Sequence, residues 1–185
     1  MKILWYGDWA AETGFGRVSR VFVQHLAKQG HTILVLGTNY YGHPYDREAY
    51  PVETIPAQDP RTSDDWTGRG RLLAEITRRK IDTVVVFQDP LHFAEYRDAN
   101  GTWAEAIHEV CKKYGVRLVH YFPVDGPPAP EWLSLATKAD TAITYNPWSV
   151  EQIRKVNPAL ADRMKILPHG IDLDVFKPID DPKRN

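Results

Sequence analysis

Short apolar runs alternate with amphipathic segments along the chain. The apolar runs predict strands at residues 3–6, 32–37, 52–55, 83–87, 117–121, 141–144 and 165–167. Three- and four-residue spacing of apolar positions predicts helices over residues 16–29, 68–79, 102–114, 131–137 and 149–157. This alternation is typical of a parallel sheet covered by helices on both faces. We therefore expect one α/β domain, a Rossmann-like, doubly wound fold with a mostly parallel sheet.

One of these runs, at residues 83–87, is apolar or β-branched at consecutive positions. A strand with that pattern has both faces covered, so we expect it near the middle of the sheet. After Pro178 the sequence turns polar and loses its pattern. The domain is therefore expected to span residues 1–176, with residues 177–185 as a linker or as the truncated start of a second domain.

Composition narrows the classes of function. Charged residues make up 25% of the 185 residues and the formal net charge is -1, which is not the basic footprint of a nucleic-acid-binding domain. Cys111 is the only cysteine, so no internal disulfide can form, and we expect a cytoplasmic protein in which this thiol is a packed structural residue of a helix. No segment has the length of a membrane span or the layout of a signal peptide.

The loop before the first predicted helix is the first candidate site. Ligands of doubly wound sheets bind where strands end and helices begin, and Gly14 and Gly16 remove side chains at such a point. Because free amides at a helix start favour anions, we expect Gly14, Phe15, Gly16 and Arg17 to bind a phosphate of a nucleotide sugar. The alternative interpretation is that both glycines only shape the turn.

Nucleotide-dependent oxidoreductases also use this type of fold, but the sequence disfavours that function. The glycine fingerprint of dinucleotide-binding domains begins directly after the first strand, whereas Gly14 comes well past Tyr6. Ser19 stands in place of the third glycine of that fingerprint. The second strand ends on Gly37 and Thr38 rather than on the acidic residue that holds a ribose.

Two stretches carry a family resemblance. Gly14-Phe15-Gly16-Arg17, the following helix and Gly30-His31 resemble the start of retaining GT-B glycosyltransferases of family four. That family typically has a Gly-Gly-x-x-Arg loop; Thr13 replaces its first glycine here, and Arg17 matches its arginine. The stretch from Ile166 to Pro178 is similar to the segment that joins the family's two domains, which implies interdomain roles for His169, Gly170 and Asp172.

The resemblance implies two Rossmann-like domains with the active site between them. This chain corresponds to the N-terminal, acceptor-side half, and the C-terminal half that binds the nucleotide sugar is expected to be missing. In such enzymes the acceptor hydroxyl attacks the anomeric carbon on the face that the nucleotide leaves, and a phosphate oxygen takes the proton. The implied function is sugar transfer to a hydroxyl acceptor, weak or absent in this half alone. The alternative is a stand-alone module that binds a nucleotide or glycan without catalysis.

Further polar residues follow the predicted strands on the acceptor side. Asp125 is the group best placed to orient a hydroxyl and is our candidate catalytic residue; the alternative interpretation is that it serves only the turn. The expected acceptor-binding residues are Gln88, Asp89, His92, His120 and Tyr40, with a capping role equally open for Asp89. The scattered histidines and single thiol lack the spacing of zinc ligands, so no metal and no cofactor beyond the nucleotide-sugar co-substrate is expected.

Overall fold

The computed structural model describes residues 1–48, 51–58, 65, 67–94, 97–98, 101–171, 173 and 176. The strands are β1 Lys2–Asp8, β2 Thr32–Thr38, β3 Glu53–Pro56, β4 Thr83–Phe87, β5 Arg97–Asp98, β6 Gly101–Thr102, β7 Arg117–Tyr121, β8 Thr141–Thr144 and β9 Lys165–Ile166. The α-helices are α1 Gly14–Lys28, α2 Arg69–Arg78, α3 Trp103–Tyr114, α4 Ser134–Lys138, α5 Pro147–Arg154 and α6 Pro158–Arg163. Short 3-10 helices occupy Pro90–Phe93 and Pro130–Leu133.

Seven of the strands form one parallel sheet in the order β3-β2-β1-β4-β7-β8-β9. The predicted fold class is therefore confirmed, and the run at 83–87 is confirmed as an inner strand, β4. Strands β2 and β3 lie on one side of β1, whereas β4 and its successors lie on the other. The strand order thus reverses between β1 and β4, the point where such sheets open a crevice for ligands.

Alternate residues of the central strands face opposite layers of helices. Leu4 and Tyr6 of β1 pack in the cluster that includes apolar side chains of α2 and α3. Ile3 and Trp5 pack in the cluster that includes Val23 of α1. The same alternation divides β2 and β4, because side chains of a strand point alternately to its two faces. Burial of both faces is what makes these strands read as continuous apolar runs.

The helices at the end of the chain differ from the sequence prediction. The predicted helix over 149–157 is α5, which ends at Arg154, and a second helix that was not predicted begins at Pro158. Asn157 caps this second helix, α6, through a 3.0 Å hydrogen bond from the Leu160 amide, and Pro158 follows the cap. The predicted helix over 131–137 begins as a 3-10 turn and becomes α-helical only at Ser134. The small antiparallel hairpin of β5 and β6 was not predicted.

The single cysteine behaves as the sequence predicts. Cys111 on α3 is 2% exposed, and burial raises the pKa of its thiol to about 12. It therefore stays protonated and packs as a small apolar side chain. Among the described residues, no helix is long and apolar enough to cross a bilayer. Residues 177–185 lie outside the described part of the chain, so their role as a linker remains a prediction.

Candidate functional site

The start of α1 is partly capped by the chain itself. Thr13 Oγ1 accepts a 2.9 Å hydrogen bond from the Gly16 amide, and the Thr13 carbonyl accepts one from the Arg17 amide at 3.0 Å. Within the described residues, the amides of Gly14 and Phe15 have no acceptor. The Arg17 side chain is exposed. Of the four predicted phosphate-binding positions, two therefore offer a free amide and one a free cationic side chain.

The two glycines of this turn differ in their surroundings. A Cβ at Gly16 would lie 2.2 Å from the Ala11 carbonyl oxygen, so only glycine lets the preceding loop approach the helix. A Cβ at Gly14 would meet nothing within 4 Å. The close packing of the turn therefore explains why residue 16 is glycine. This agrees with the alternative interpretation, in which the glycines only shape the turn. Gly14 leaves open space at the mouth of the helix.

The loop leading to this turn is held in place by Arg20 of α1. The guanidinium Nη1 donates to the carbonyl oxygens of Trp9 at 3.2 Å and Ala11 at 3.3 Å. The Trp9 side chain is 0% exposed, so it is a core residue rather than a surface for ligands. Since both ends of the loop are fixed, the position of the Gly14 and Phe15 amides is set before any ligand arrives.

Sequence reasoning missed Asp8, the last residue of β1. Its carboxylate is 4% exposed and accepts hydrogen bonds from the hydroxyls of Thr13, at 2.6 Å, and Thr38, and from Asn39 Nδ2 at 3.0 Å. Gln88 Nε2 donates to Thr38 Oγ1 at 2.6 Å, which extends the network to the end of β4. The predicted strand stopped at Tyr6 and left Asp8 in a loop. An acidic residue closing an apolar run next to the switch point was the available signal.

The residues after β4 lie close to Asp125. Burial raises the pKa of Asp89, the proximity of His92 lowers it, and the Asp125 charge raises it further. These interactions mean that Asp89, His92 and Asp125 share one neighbourhood at the carboxyl edge of the sheet. Gln88 and Asp89 are both half-buried, whereas Asp125 is exposed. The structure therefore brings these four predicted residues to a single edge.

An aromatic group, which we call the edge cluster, connects this region to α1; it consists of Phe15, Phe87, Tyr121, Tyr145 and His169. Ring centroids are 5.0 Å apart for Phe15 and Phe87, 4.9 Å for Phe87 and Tyr121, and 5.0 Å for Tyr145 and His169. The Tyr145 hydroxyl lies 3.4 Å from both Asp125 Oδ1 and the Val124 carbonyl oxygen, and its single proton is shared between these two acceptors. The α1 turn and the Asp125 loop thus flank the same cluster.

His120 and Tyr40 are both buried. His120 is 0% exposed, lies against the rings of Phe93 and Phe122, and has a pKa lowered by burial to about 3, with the nearby Gln88 backbone opposing the shift. Tyr40 is 7% exposed and packs on His43 and Tyr45. Side chains with so little exposed surface argue against the predicted contact with an acceptor, and both roles stay predictions.

The predicted interdomain segment runs over the ends of the strands. The Leu167 amide donates to the Thr144 carbonyl at 2.8 Å, and the Tyr121 hydroxyl donates to the Leu167 carbonyl at 2.8 Å. His169 then packs into the edge cluster, and burial lowers its pKa. A Cβ at Gly170 would meet nothing within 4 Å. Asp172 lies outside the described residues.

No group of three or more histidine, cysteine or acidic side chains in the described ranges is arranged to hold a metal ion. The arrangement at this edge is instead suited to polar, uncharged contacts and to an anion at the α1 turn. Exposed Asp125, the Gly14 and Phe15 amides and the segment at 168–170 are its accessible parts. Together they can orient a hydroxyl group and stabilise negative charge.

Comparison with known proteins shows the same fold in glycosyltransferases. A glycosyltransferase from Rickettsia africae shares the fold over 99% of this chain, with a TM-score of 0.65 and 16% identity. HepE from Anabaena, crystallised with UDP, covers 95% with a TM-score of 0.58 and 13% identity, and MurG from Acinetobacter baumannii covers 90% with 0.57 and 13%. No curated protein matches the sequence.

The chain spans 47%, 46% and 44% of the lengths of these three solved proteins, respectively. The resemblance to the N-terminal half of a GT-B glycosyltransferase is thereby confirmed at the level of the fold. The family model described as Glycosyltransferase Family 4 matches residues 13–175, from the cap of α1 to the segment after His169. The chain belongs to Glycosyltransferase Family 4.

Proposed function

We propose that this chain is the acceptor-side domain of a glycosyltransferase that moves a sugar from a nucleotide-sugar donor to a hydroxyl acceptor. The observation that carries the proposal is the edge cluster, which the α1 turn, the Asp125 loop and the 168–170 segment all flank. A second domain following this segment would cover that edge. Solved structures of HepE in complex with UDP and with UDP-glucose support a nucleotide-sugar donor.

Asp125 has the proposed role of orienting the acceptor hydroxyl. Its carboxylate is exposed and keeps one fixed neighbour, the Tyr145 hydroxyl. A carboxylate held at one oxygen can accept from an incoming hydroxyl with the other. Asp89 lies at the same edge but is half-buried, so Asp125 is the more accessible of the two carboxylates for that hydroxyl.

The α1 turn has the proposed role of stabilising the departing phosphate. The free amides of Gly14 and Phe15 and the exposed Arg17 side chain are the available donors. The buried Asp8 carboxylate lies one hydrogen bond behind this turn, through Thr13, and opposes anion binding there. We therefore assign the turn a supporting role and place most of the contacts to the donor on the second domain.

In the proposed reaction, the acceptor oxygen forms a bond to the anomeric carbon while the bond from that carbon to the nucleotide phosphate breaks. The proton of the acceptor hydroxyl passes to the departing phosphate oxygen. The chain contributes positioning and electrostatic stabilisation, the two effects that do not require a basic side chain. Retention of anomeric configuration belongs to this proposal as well.

A test uses the chain with and without a donor-binding domain of the same family, added in trans. We expect transfer from a panel of UDP- and GDP-sugars to be weak for the chain alone and to rise when the second domain is added. Robust transfer by the chain alone would contradict the dependence on a second domain. Tight nucleotide-sugar binding without any transfer in either sample would favour the stand-alone binding module instead.

A further inference from the structure

A small cavity lies beside the switch point of the sheet, apart from the α1 turn and the edge cluster. Its volume is about 50 Å³, and it is lined by Tyr6, Thr38, Asn39, Thr67, Gln88 and His92. One water needs roughly 10–15 Å³ of such space, so the cavity holds a few waters but not a sugar ring. A hydroxymethyl arm fits, whereas a pyranose or a nucleobase does not.

The hydrogen bonds behind this cavity run in one direction. The Asp8 carboxylate can only accept, so the Thr38 hydroxyl uses its single proton on Asp8. The Thr38 oxygen must then accept from Gln88, which turns the Gln88 Nε2 toward Thr38 at 2.6 Å. The side-chain amide is therefore oriented by Asp8 through Thr38, independently of how its two ends are assigned. Gln88 Oε1 has no donor among the described residues.

The backbone at Asn39 also shows that Asp8 organises the wall of this cavity. Asn39 has a φ of 53°, in the left-handed region, and its side chain donates to Asp8 at 3.0 Å. Asparagine tolerates this conformation better than most residues, and the bond to Asp8 holds it there. The neighbouring Tyr6 hydroxyl donates to the Thr67 carbonyl at 2.7 Å, which leaves only its lone pair for a ligand. The cavity wall thus offers acceptors at Gln88 and Tyr6.

We infer that this cavity is an acceptor subsite that receives one hydroxymethyl arm of a carbohydrate or polyol, with Gln88 Oε1 accepting a hydrogen bond from the hydroxyl of that arm. Asp8 and Thr38 are positioning residues that act through Gln88. The inference rests on the proposed function, because it names the chemistry that the acceptor presents. An arm ending in a methyl group leaves Gln88 Oε1 without a donor and is rejected for that reason.

The test compares two matched pairs of probes: methyl α-D-glucopyranoside with its 6-deoxy analogue, and methyl α-D-galactopyranoside with methyl α-D-fucopyranoside. Binding is followed by NMR of the Gln88 side-chain amide in the isotopically labelled chain. We expect at least one hydroxymethyl glycoside to shift this resonance and to bind about tenfold more tightly than its 6-deoxy partner, the value of one hydrogen bond.

The variants separate orientation from simple packing. Thr38→Val keeps the shape of the side chain but removes its hydroxyl, so the ratio of affinities for the hydroxymethyl glycoside and its 6-deoxy partner should fall from about ten to about one. Thr38→Ser keeps a hydroxyl at this position and should retain the preference. Gln88→Met should abolish the preference directly and carries the test if Thr38→Val does not fold. Because this variant lacks the Gln88 amide, its binding is followed by the backbone amides of Thr38 and Asn39, which line the cavity. Equal binding of both partners to the wild type, no shift with any glycoside, or an unchanged preference in Thr38→Val and Gln88→Met would each overturn the inference.

The outcomes also distinguish this inference from the proposed function. The NMR readout depends on the cavity alone and needs no second domain. If the complete enzyme transfers sugar but Gln88→Met leaves its preference for hydroxymethyl acceptors unchanged, the subsite is wrong and the function stands. If the preference for the hydroxymethyl arm is seen but no nucleotide sugar supports transfer, the subsite stands and the function is wrong.

Discussion

The ring of His169 stacks on the ring of Tyr145, with centroids 5.0 Å apart and planes 25° apart. The hydroxyl of the same Tyr145 donates to Asp125 at 3.4 Å. The proposed interdomain segment and the proposed catalytic carboxylate are therefore joined through one tyrosine.

Replacing His169 should show what this stack contributes. We expect His169→Ala to lower the free energy of unfolding by about 1 kcal/mol, the usual value of an aromatic pair, and His169→Phe to retain most of it. Burial lowers the pKa of His169, so the neutral ring is the form that packs. Urea denaturation at neutral pH measures both variants; equal stability of the alanine variant and the wild type would contradict a structural role for the stack.

The two glycines at the start of α1 form a matched pair. Gly16→Ala places a methyl group 2.2 Å from the Ala11 carbonyl oxygen and should destabilise the fold by about 1–3 kcal/mol. Gly14→Ala meets nothing within 4 Å and should leave stability unchanged or slightly raised. Thermal unfolding checks both values.

The same pair tests the proposed phosphate site. If the departing phosphate uses the space beside Gly14, Gly14→Ala should weaken sugar transfer by the complete enzyme although the variant folds normally. Unchanged transfer kinetics in a stable Gly14→Ala variant would show that the turn does not contact the donor.

His120 should make folding sensitive to acid. Its pKa in the folded chain is lowered from 6.5 to about 3, so the unfolded state takes up its proton first as the pH falls. The contribution of neutral His120 to the free energy of unfolding is complete above pH 6.5, and it is lost progressively as the pH falls to about 3. We expect His120→Leu to flatten the curve of unfolding free energy against pH in that window by about one proton. His120→Gln, polar but not titrating, should flatten it equally; a curve as steep as that of the wild type in both variants would show that another group titrates.

Asp125 can be tested in the complete enzyme. Asp125→Asn should reduce transfer by about ten- to hundredfold, since a charged acceptor for the hydroxyl is lost, while binding of the nucleotide sugar is retained. The control is Asp162→Asn on α6, an exposed carboxylate paired with Arg154. A loss of transfer no greater than that in the control would leave Asp125 with a turn role only.

The fold was predictable because its signals are local. The run at 83–87 showed an inner parallel strand, and the apolar spacing over residues 16–29 predicted α1, whose Val18, Phe22 and Leu26 pack against one face of the sheet. Helix ends were less predictable. Asn157 lies in the predicted helix over 149–157, but in the structure it is the N-cap of α6, which begins at Pro158. Side-chain capping competes with helix continuation, and sequence spacing alone does not decide between them.

The site was predicted as a set of loops but not as a set of contacts. Gln88, Asp89, His92 and Asp125 lie at the expected edge, whereas His120 and Tyr40 are buried. A histidine at a strand end is exposed or covered depending on what the next elements place over it, here Phe93 and Phe122. Asp8 was missed because its importance comes from donors at 13, 38 and 39, and the last two reach Asp8 only through the pairing of β1 with β2.

The sequence by itself determined the parallel α/β architecture, the family and the edge at which ligands are expected, because periodicity and short motifs depend on neighbouring residues. The tertiary structure decided which polar groups are free, which are satisfied by the chain and which are buried. Those properties depend on atoms that are far apart in sequence: Thr38 and Gln88 meet only across the sheet edge, and His169 reaches Tyr145 only after β9 has paired with β8.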